Sequence, residues 1–420
     1  MKNGGKTKSN KLYDKMNKKI KVLILTRSFP TKQNPVAAIW LLNQLEELKK
    51  YCEIKVVFPY AYVPKTRFLN PYHRFSSMPE KERVEGIEVY HPKYFMVPRI
   101  GFKLALLHWY LAIEIFLSYF PSKKVIDGIM ENWNPDIVHI QGALSESLIG
   151  NMIKKRYKKP LLLTVVGEDI TLYPKKFPSR LFVRLTLDNV NTIICQSRFM
   201  EMEIKGLGVK NKRFYVVPMG TKTKNFRQKS KNKARKKLSL PQNKKIILFV
   251  GHLVERKGVN YLIHAMSSII KKEKNSRCYI IGTGYQEESL KKLAKDEGLG
   301  NYVEFLGQKT NEDVADYMNA SDLLVLPSLN EGLPVVVYEA LSCGTPVVAT
   351  KVAGTPELVN NDVGFLVKPK NAEDLQEKIL LALRKKWNTK KLLARAKEFS
   401  TEVTAKKVFL VYNVLLGKQN

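Results

Sequence analysis

The sharpest chemical signal in the chain is a pair of carboxylates eight residues apart, Glu331 and Glu339. Glu331 opens the sequence EGLP after a strand-like run, and Pro334 is expected in the first turn of a helix, where a missing N–H costs little. Glu331 then lies before the helix and Glu339 about two turns inside it, roughly 8–12 Å further along the axis. That separation is too large for one shared proton, and it suits the two ends of one extended polar ligand.

The same turn offers backbone donors for an anion between those two ends. The free N–H groups at Gly332 and Leu333, together with the helix dipole, favour a phosphate there. The alternative is an acidic first turn followed by a glutamate that faces solvent. The pair of carboxylates does not by itself decide between the two interpretations.

Two glycine turns follow other strand-like runs. The loop Gly251–Gly258, of sequence GHLVERKG, lies between a strand and a helix, where backbone N–H groups and the dipole hold anions. Within it, Lys257 offers a compact positive charge for a diphosphate. The turn Gly282-Thr283-Gly284 ends the next strand near the same edge. The alternative is a set of ordinary junctions with an exposed lysine.

Short β-branched runs alternate with helical ones through both halves of the chain, which predicts an α/β protein with two doubly wound, mostly parallel sheets. Ligands bind beyond the carboxyl ends of such strands, and two sheets in series predict a cleft that holds the chemistry. The predicted strands are 21–26, 54–58, 87–90, 136–140, 161–165, 192–195, 214–217, 246–250, 278–281, 303–306, 323–326 and 347–349. The predicted helices are 39–50, 257–270, 286–297, 312–319, 333–342 and 372–386.

Together these features resemble the retaining glycosyltransferases of family 4, which have the two-domain GT-B fold. Gly251–Gly258 is similar to the family's G-R-L-x-x-x-K-G loop, and Gly282-Thr283-Gly284 to its G-x-G turn. Ser328–Thr350 (SLNEGLPVVVYEALSCGTPVVAT) is similar to its E-x7-E block, which Gly354-Thr355-Pro356-Glu357 continues. The match in the first half is looser, as at Val217-Pro218-Met219-Gly220.

The resemblance implies roles for the residues of a donor site. Lys257 and residue 252 would neutralise the donor diphosphate, Glu331 would contact the transferred sugar and Glu339 the ribose hydroxyls. The family usually has Arg where this chain has His252, and Arg256 is a candidate to compensate. The remaining implied donor positions are backbone ones, at Gly251, Gly282, Gly284, Gly332 and Leu333.

No metal and no cofactor are implied, since cationic side chains and a helix terminus would stabilise the departing nucleoside diphosphate. The chain also lacks an Asp-x-Asp motif. If the acceptor attacks on the front face, the anomeric configuration of the sugar is retained without an enzyme nucleophile. UDP is the commonest donor nucleotide in such families, and GDP remains open.

The acceptor side departs from the family's pattern at three places. The H-x-H after the fourth strand is His139-Ile140-Gln141 in this chain, and Ala38 stands where a glycine is common. His139 is the remaining polar candidate for a catalytic residue, and a hydrogen-bonded structural histidine is the alternative. Gln141 and Ala38 are assigned to the acceptor side.

The third departure is in the loop after the fifth predicted strand. Val166 replaces the histidine of a T-x-H-G-x-D loop. Glu168 and Asp169 follow it and are candidates for binding acceptor hydroxyls. The alternative for both acids is a helix N-cap.

Positive charge is concentrated in the first part of the chain. Residues 1–250 carry 48 Lys and Arg against 18 Asp and Glu, and residues 251–420 carry 24 against 20. Such an excess attracts phosphates of nucleic acid, anionic lipid or a phosphorylated substrate, or it is a solubility feature. Four well-separated cysteines favour buried free thiols in a reducing, cytoplasmic compartment.

Phe102–Phe120 is almost wholly apolar and has nearly the length of a membrane span. Glu114 in its middle would cost about 2.5–3.5 kcal/mol at the bilayer centre. We therefore favour a buried helix for this segment over an interfacial helix, and an interfacial helix over a membrane span.

Four segments are predicted along the chain. Residues 1–19 form a disordered basic tail without the apolar core of a signal peptide, and 20–222 an acceptor-binding Rossmann-like domain. Residues 223–400 form a nucleotide-sugar-binding Rossmann-like domain. Residues 401–420 form a helix that packs back towards the first domain.

The expected function is metal-independent sugar transfer from a nucleotide-sugar to a cell-envelope, lipid-linked or exported glycan acceptor. The anionic inner face of the membrane is a candidate partner, because the first half is basic. The alternatives are a nucleotide-sugar epimerase or phosphorylase on the same fold, a non-catalytic relative, and a basic nucleic-acid-binding protein. No nucleic-acid partner is expected, because no recognised binding motif is present.

Overall fold

The computed structural model describes residues 19–32, 34–35, 37–62, 78–96, 107–144, 146–209, 212–220 and 226–418. The chain forms two compact units, each with its own sheet. Unit 1 comprises 1–194, 204–215 and 406–420, and unit 2 comprises 195–203 and 216–405. The predicted boundary at 222/223 and the predicted tail, apart from Lys19, lie outside the described residues.

Sixteen strands and fourteen helices make up the part of the chain that the structure describes. The strands are β1 (Ile20–Thr26), β2 (Cys52–Val57), β3 (Tyr60–Tyr62), β4 (Lys81–Val84), β5 (Ile87–Tyr90), β6 (Lys93–Phe95), β7 (Ile137–Gln141), β8 (Leu161–Thr164), β9 (Thr192–Cys195), β10 (Arg213–Val216), β11 (Lys245–Val250), β12 (Ser276–Ile281), β13 (Val303–Gly307), β14 (Leu323–Leu326), β15 (Val347–Thr350) and β16 (Gly364–Val367). The helices are α1 (Ile39–Leu48), α2 (Leu107–Asn132), α3 (Ser147–Tyr157), α4 (Glu168–Thr171), α5 (Ser179–Asn189), α6 (Arg198–Gly206), α7 (Lys231–Lys237), α8 (Val259–Lys272), α9 (Glu287–Asp296), α10 (Asn311–Ala320), α11 (Val335–Ser342), α12 (Ala372–Arg384), α13 (Thr389–Lys397) and α14 (Thr401–Leu415).

Unit 1 contains an eight-stranded sheet of order β10-β9-β8-β7-β1-β2-β5-β4. Strand β1 pairs in parallel with both β2 and β7, and only the β4–β5 pairing is antiparallel among those described. From residue 406 onward, helix α14 belongs to this unit and contacts it through aromatic side chains. Phe409 stacks on Tyr51 with ring centroids 4.8 Å apart, and Tyr412 packs edge-on against His139.

Unit 2 contains a six-stranded, wholly parallel sheet of order β13-β12-β11-β14-β15-β16. The central strands β14 and β15 are buried along their whole length because helices and loops exclude water from both faces. The chain order reverses between β11 and β14, and ligands bind at such a switch point, beyond the carboxyl ends of the strands. The prediction of an α/β fold with two parallel-sheet domains is confirmed.

Some predicted element bounds were wrong for local reasons. The helix predicted over 257–270 begins at Val259, because 255–257 form a 3₁₀ turn and Gly258 is left-handed with φ 62°. The helix predicted over 333–342 begins at Val335, so Pro334 precedes it. Glu339 is therefore little more than one turn inside the helix, and not two. Strands β3, β4, β6 and β16 were not predicted, since each is only three or four residues long.

The apolar segment predicted from 102 to 120 lies mostly in α2, whose description begins at Leu107. One face of the helix is buried, with Leu111, Ala112 and Ile115 in the core, while Trp109 is exposed. The prediction of a buried helix was therefore wrong for one side of α2, which is exposed. Within the described ranges, no helix is long and apolar enough to cross a bilayer. All four cysteines are buried, and none of them forms a disulfide.

Candidate active site

The loop Gly251–Gly258 follows β11 at the switch point of unit 2, and close backbone contacts shape it. A Cβ on Gly258 would lie 2.2 Å from the carbonyl oxygen of Pro327, and its positive φ also favours glycine. The N–H of Leu329 donates to the carbonyl oxygen of Arg256 over 2.7 Å. These contacts join the loop after β11 to the loop after β14.

The glycine turn after β12 packs on the same loop. A Cβ on Gly282 would lie 1.9 Å from the oxygen of Gly251, and one on Gly284 would lie 2.2 Å from the oxygen of Leu253. The N–H of Leu253 also donates to the oxygen of Thr283 over 2.9 Å. These contacts require glycine for backbone-to-backbone packing, whatever ligand the loops hold.

Lys257 and Glu331 meet at the junction of these loops. The lysine Nζ lies 2.5 Å from the glutamate Oε1, and the side chains are 12% and 7% exposed. The hydroxyl of Ser328 donates to the same Oε1 over 2.6 Å, and Thr350 in turn donates to the carbonyl oxygen of Ser328. The cation and the carboxylate are thus held in fixed positions before any ligand arrives.

Two further cationic or potentially cationic side chains stand on the same loop. His252 and Arg256 are both exposed. Among the described residues, neither side chain has a hydrogen-bond or ion-pair partner. Both are therefore available to an incoming anion, and the nearly buried Lys257 lies next to Arg256 in the sequence.

The turn before α11 carries the two predicted backbone positions, Gly332 and Leu333. The carbonyl oxygen of Gly332 accepts from the N–H of Gly354 over 3.1 Å, and a Cβ on Gly354 would lie 2.2 Å from that oxygen. The side chain of Leu333 is buried in the core of unit 2. Only its backbone can face a ligand.

Glu339 stands inside α11, mostly shielded from water. Burial raises the pKa of its carboxyl group to about 7. Within the described part of the chain, this carboxyl group has no hydrogen-bond or ion-pair partner. A nearly buried carboxyl group without a partner is poised to accept hydrogen bonds from a ligand's hydroxyl groups.

The structure adds a contact that the sequence did not reveal. Glu357 accepts from the N–H groups of Arg198 and Phe199 over 3.0 and 3.2 Å, so it caps the start of α6. A Cβ on Gly332 would lie 2.6 Å from Cε of Met200 in that helix. The only sequence signal was the GTPE run that ends at Glu357.

His139 lies in the interior of unit 1, fully shielded from water. Its Nδ1 is 2.7 Å from the hydroxyl of Tyr412, and its Nε2 is 2.7 Å from Thr164 Oγ1 and 3.2 Å from Gln141 Nε2. Burial lowers its pKa to about 3. Because both ring nitrogens are occupied, this geometry favours the structural alternative over a catalytic role.

Gln141 ends β7 and is almost as deeply buried as His139. Its Nε2 contacts the histidine, while its Oε1 has no hydrogen-bond partner among the described residues. The predicted acceptor-side glutamine is thus part of the same buried polar network.

Asp169 joins two loops at the carboxyl edge of the unit 1 sheet. It is buried and accepts from the N–H groups of Ala143, Val166 and Gly167 over 2.7 to 3.1 Å. Burial raises the pKa of its carboxyl group, although the three backbone donors act in the opposite direction. This geometry favours loop capping over binding of an acceptor. Glu168 begins α4, and its side chain lies outside the described part.

Ala38 precedes α1 in a left-handed conformation, with φ 45° and ψ 37°. This explains physically why a glycine is common at the equivalent position, since only glycine adopts that conformation without a steric penalty.

Comparison with known proteins agrees with the fold. Residues 230–402 match the family model described as Glycosyl transferases group 1, and residues 76–225 match Glycosyltransferase Family 4. The chain is 28% identical over 372 residues to the putative teichuronic acid biosynthesis glycosyltransferase TuaC of Bacillus subtilis (strain 168), covering 86% of this chain and 88% of that one.

Two solved structures show the same fold. Sucrose-phosphate synthase from Thermosynechococcus elongatus aligns with a TM-score of 0.72 at 20% identity, over 96% of this chain and 100% of the other. HepE from Anabaena, in complex with UDP and glucose, aligns with a TM-score of 0.66 at 20% identity, over 94% and 100%. The chain is a GT-B glycosyltransferase of the family 4 type, and so a transferase enzyme.

Proposed function

We propose that the chain moves a hexosyl group from a nucleoside diphosphate sugar to a lipid-linked or cell-envelope glycan, with retention and without a metal ion or cofactor. The observation that carries this proposal is the Lys257–Glu331 pair at the switch point of a parallel sheet. The exposed His252 and Arg256 on the same loop support it.

In the proposed reaction the bond between the anomeric carbon and the diphosphate oxygen breaks, and negative charge grows on the diphosphate. The acceptor hydroxyl oxygen bonds to the anomeric carbon on the same face, and its proton passes to the departing diphosphate oxygen. Lys257 provides positive charge where that negative charge develops, in a position fixed beforehand by Glu331 and by the loop contacts. The N–H groups of the turn at Gly332 add to this stabilisation. Glu331 then accepts from a hydroxyl of the transferred sugar, and front-face attack accounts for retention without an enzyme nucleophile.

The ribose is assigned to Glu339, because its carboxyl group is mostly shielded and has no partner among the described residues. For the donor nucleotide we favour UDP over GDP, supported by the HepE structure with UDP and glucose. For the acceptor class we favour an envelope polysaccharide or its lipid-linked precursor, supported by the teichuronic acid assignment of TuaC. We place the enzyme in the cytoplasm, peripherally on the inner membrane face.

A thermal-shift screen of UDP- and GDP-sugars tests the donor site. A ligand at a hundred times its dissociation constant adds about 2.7 kcal/mol to the free energy of unfolding. Lys257→Ala should abolish the shift, and Lys271→Ala, at an exposed lysine of α8, should retain it. A series in which no nucleotide-sugar stabilises the protein would contradict the proposal.

The reaction itself is tested on the sugar that gives the shift. Proton NMR of the product should show the anomeric configuration of the donor, and turnover should be unchanged in excess EDTA. An inverted product would refute retention, and loss of turnover on chelation would refute metal independence.

A further inference from the structure

Helix α2 exposes a continuous apolar stripe to solvent. Trp109, Ile113, Phe116, Leu117 and Phe120 are 42% to 74% exposed, with the highest value at Phe120. Their spacing of three and four residues places them on one side of the helix. The helix is thus apolar on two opposite sides, and the described residues of unit 1 cover only one of them.

Residues from the start of α5 extend this stripe. Phe177 is 65% exposed and packs edge-on against Trp109, with ring centroids 5.6 Å apart, and Leu181 is 57% exposed. His108 Nδ1 lies 2.8 Å from Ser179 Oγ, which fixes α2 against α5. We call the seven residues Trp109, Ile113, Phe116, Leu117, Phe120, Phe177 and Leu181 the apolar face.

Glu114, the acid within this stretch of α2, is turned away from the apolar face. Glu114 accepts from the hydroxyl of Tyr94 over 2.6 Å and lies 3.5 Å from Arg27, on the protein side of α2. A ligand that binds the exposed side of α2 therefore does not have to desolvate the Glu114 carboxylate.

Four exposed cations lie close in sequence to residues of the apolar face. Lys175, Lys176 and Arg180 are exposed beside Phe177 and Leu181, and Lys124 is exposed one turn beyond Phe120. Residues 172–187 contain no Asp or Glu. The charged side chains of that segment are therefore all positive.

We propose that the apolar face is a docking surface for an anionic lipid bilayer. Aromatic and aliphatic side chains would enter the boundary between headgroups and acyl chains, while the lysines and arginine contact lipid phosphates. Monomeric proteins seldom leave so many contiguous apolar side chains in water without a partner. A second copy of the chain is the less favourable occupant, because its own cations would meet these cations with no acid to neutralise them.

The biological role of the docking surface rests on the proposed function, since docking would bring the enzyme to a lipid-linked acceptor. Its test does not depend on catalysis. Vesicle binding without a response to nucleotide-sugars would refute the proposed function and leave the docking surface standing. A thermal shift with nucleotide-sugar but no vesicle binding would refute the docking surface and leave the proposed function standing.

The experiment measures cosedimentation of the full chain with vesicles of phosphatidylcholine alone and of phosphatidylcholine mixed equally with phosphatidylglycerol. We expect binding to the anionic vesicles that weakens as salt rises. Phe116→Ser with Phe120→Ser should reduce the partition coefficient by about tenfold or more. Leu381→Ser, at an exposed leucine of unit 2, is the matched control and should bind as the unchanged protein does.

The charge contribution is tested separately. Lys175→Glu with Lys176→Glu should reduce binding to anionic vesicles by about tenfold, whereas Lys271→Glu with Lys272→Glu, at an exposed pair on α8, should not. All variants should keep the thermal shift with nucleotide-sugar, which shows that they fold. The proposal is overturned if the unchanged protein ignores anionic vesicles at low salt, or if the serine variant binds equally well. It is also overturned if the serine changes instead dissociate a dimer.

Discussion

The ammonium nitrogen of Lys257 lies 2.5 Å from Oε1 of Glu331, and water reaches little of either side chain. The two residues are 74 positions apart in the chain and come from loops that follow β11 and β14. A shielded cation and a shielded carboxylate therefore neutralise each other at the carboxyl ends of β11 and β14, where the strand order of the unit 2 sheet reverses.

Removing either member of this pair should destabilise the protein, and removing both should cost less than the sum of the two single losses. Lys257→Met leaves the Glu331 carboxylate shielded with only Ser328 to donate to it, and the loss in free energy of unfolding should be on the order of 3 kcal/mol. The double variant Lys257→Met with Glu331→Gln should lose less than the two single variants added together. Urea unfolding of the four proteins measures this coupling, and strictly additive losses would contradict the pairing.

Donor affinity should depend on pH through Glu339. Because burial raises the pKa of its carboxyl group to about 7, the group is half protonated near neutral pH, and only its ionised form accepts freely from ribose hydroxyls. The affinity for the nucleoside diphosphate should therefore rise from about pH 6 to about pH 8. Calorimetric titration measures it, and Glu339→Gln should bind weakly and lose the pH dependence.

The same glutamate should lower the stability of the ligand-free protein at alkaline pH. The folded protein holds a proton on Glu339 from about pH 4.5 to about pH 7 that the unfolded chain has released, so stability falls as pH rises through that window. Glu339→Gln should stabilise the protein at alkaline pH by up to about 3 kcal/mol. Glu288→Gln, at an exposed glutamate, is the control, and an equal gain there would contradict the assignment.

The fall in folding stability at low pH should depend on His139, whereas the pH profile of turnover should not. Its pKa is lowered to about 3, against 6.5 in the unfolded chain. The unfolded chain therefore binds the extra proton first, and stability should fall as pH drops from 6.5 towards 3. His139→Gln should flatten that fall while keeping kcat in the fraction that is folded.

Tyr412→Phe provides the matched control for His139. It removes the hydroxyl that contacts Nδ1, so it should cost about 1 kcal/mol of stability but leave the acid sensitivity in place. If His139→Gln folded normally and lost turnover by orders of magnitude, the catalytic alternative would be restored.

Ala38→Gly should stabilise the protein. The alanine adopts φ 45°, where a Cβ is unfavourable by about 1–2 kcal/mol, and the extra flexibility of glycine in the unfolded chain offsets part of the gain. A net increase of up to about 1 kcal/mol is expected in thermal unfolding. Ala37→Gly, at a neighbour without a positive φ, should instead destabilise slightly, and a loss in both variants would refute the explanation.

Much of unit 2 could be predicted from local patterns. The apolar runs that became β11, β12, β14 and β15 are continuous because both faces of the sheet are buried, and the glycines mark the turns where backbones touch. The start of α8 was missed because the left-handed Gly258 separates a 3₁₀ turn from the helix. A hydrophobic period does not show such a break.

Contacts between distant residues could not be predicted in the same way. Glu357 and Arg198 are 159 positions apart, and nothing in either local sequence indicates that one caps the helix of the other. The pairing of Lys257 with Glu331 was equally hidden, although both residues were candidates for the same site. Such contacts depend on which loop ends the sheet order places side by side.

The sequence by itself determined the class of protein, because the glycine turns and the E-x7-E block that carry the resemblance to family 4 are local features, and the same features marked the loops proposed for the donor site. Only the tertiary structure decided that His139 is buried between Tyr412 and Thr164, and that one side of α2 remains uncovered. The physical reason is that periodicity shows which side of a helix is apolar, whereas burial depends on whether another element packs against it.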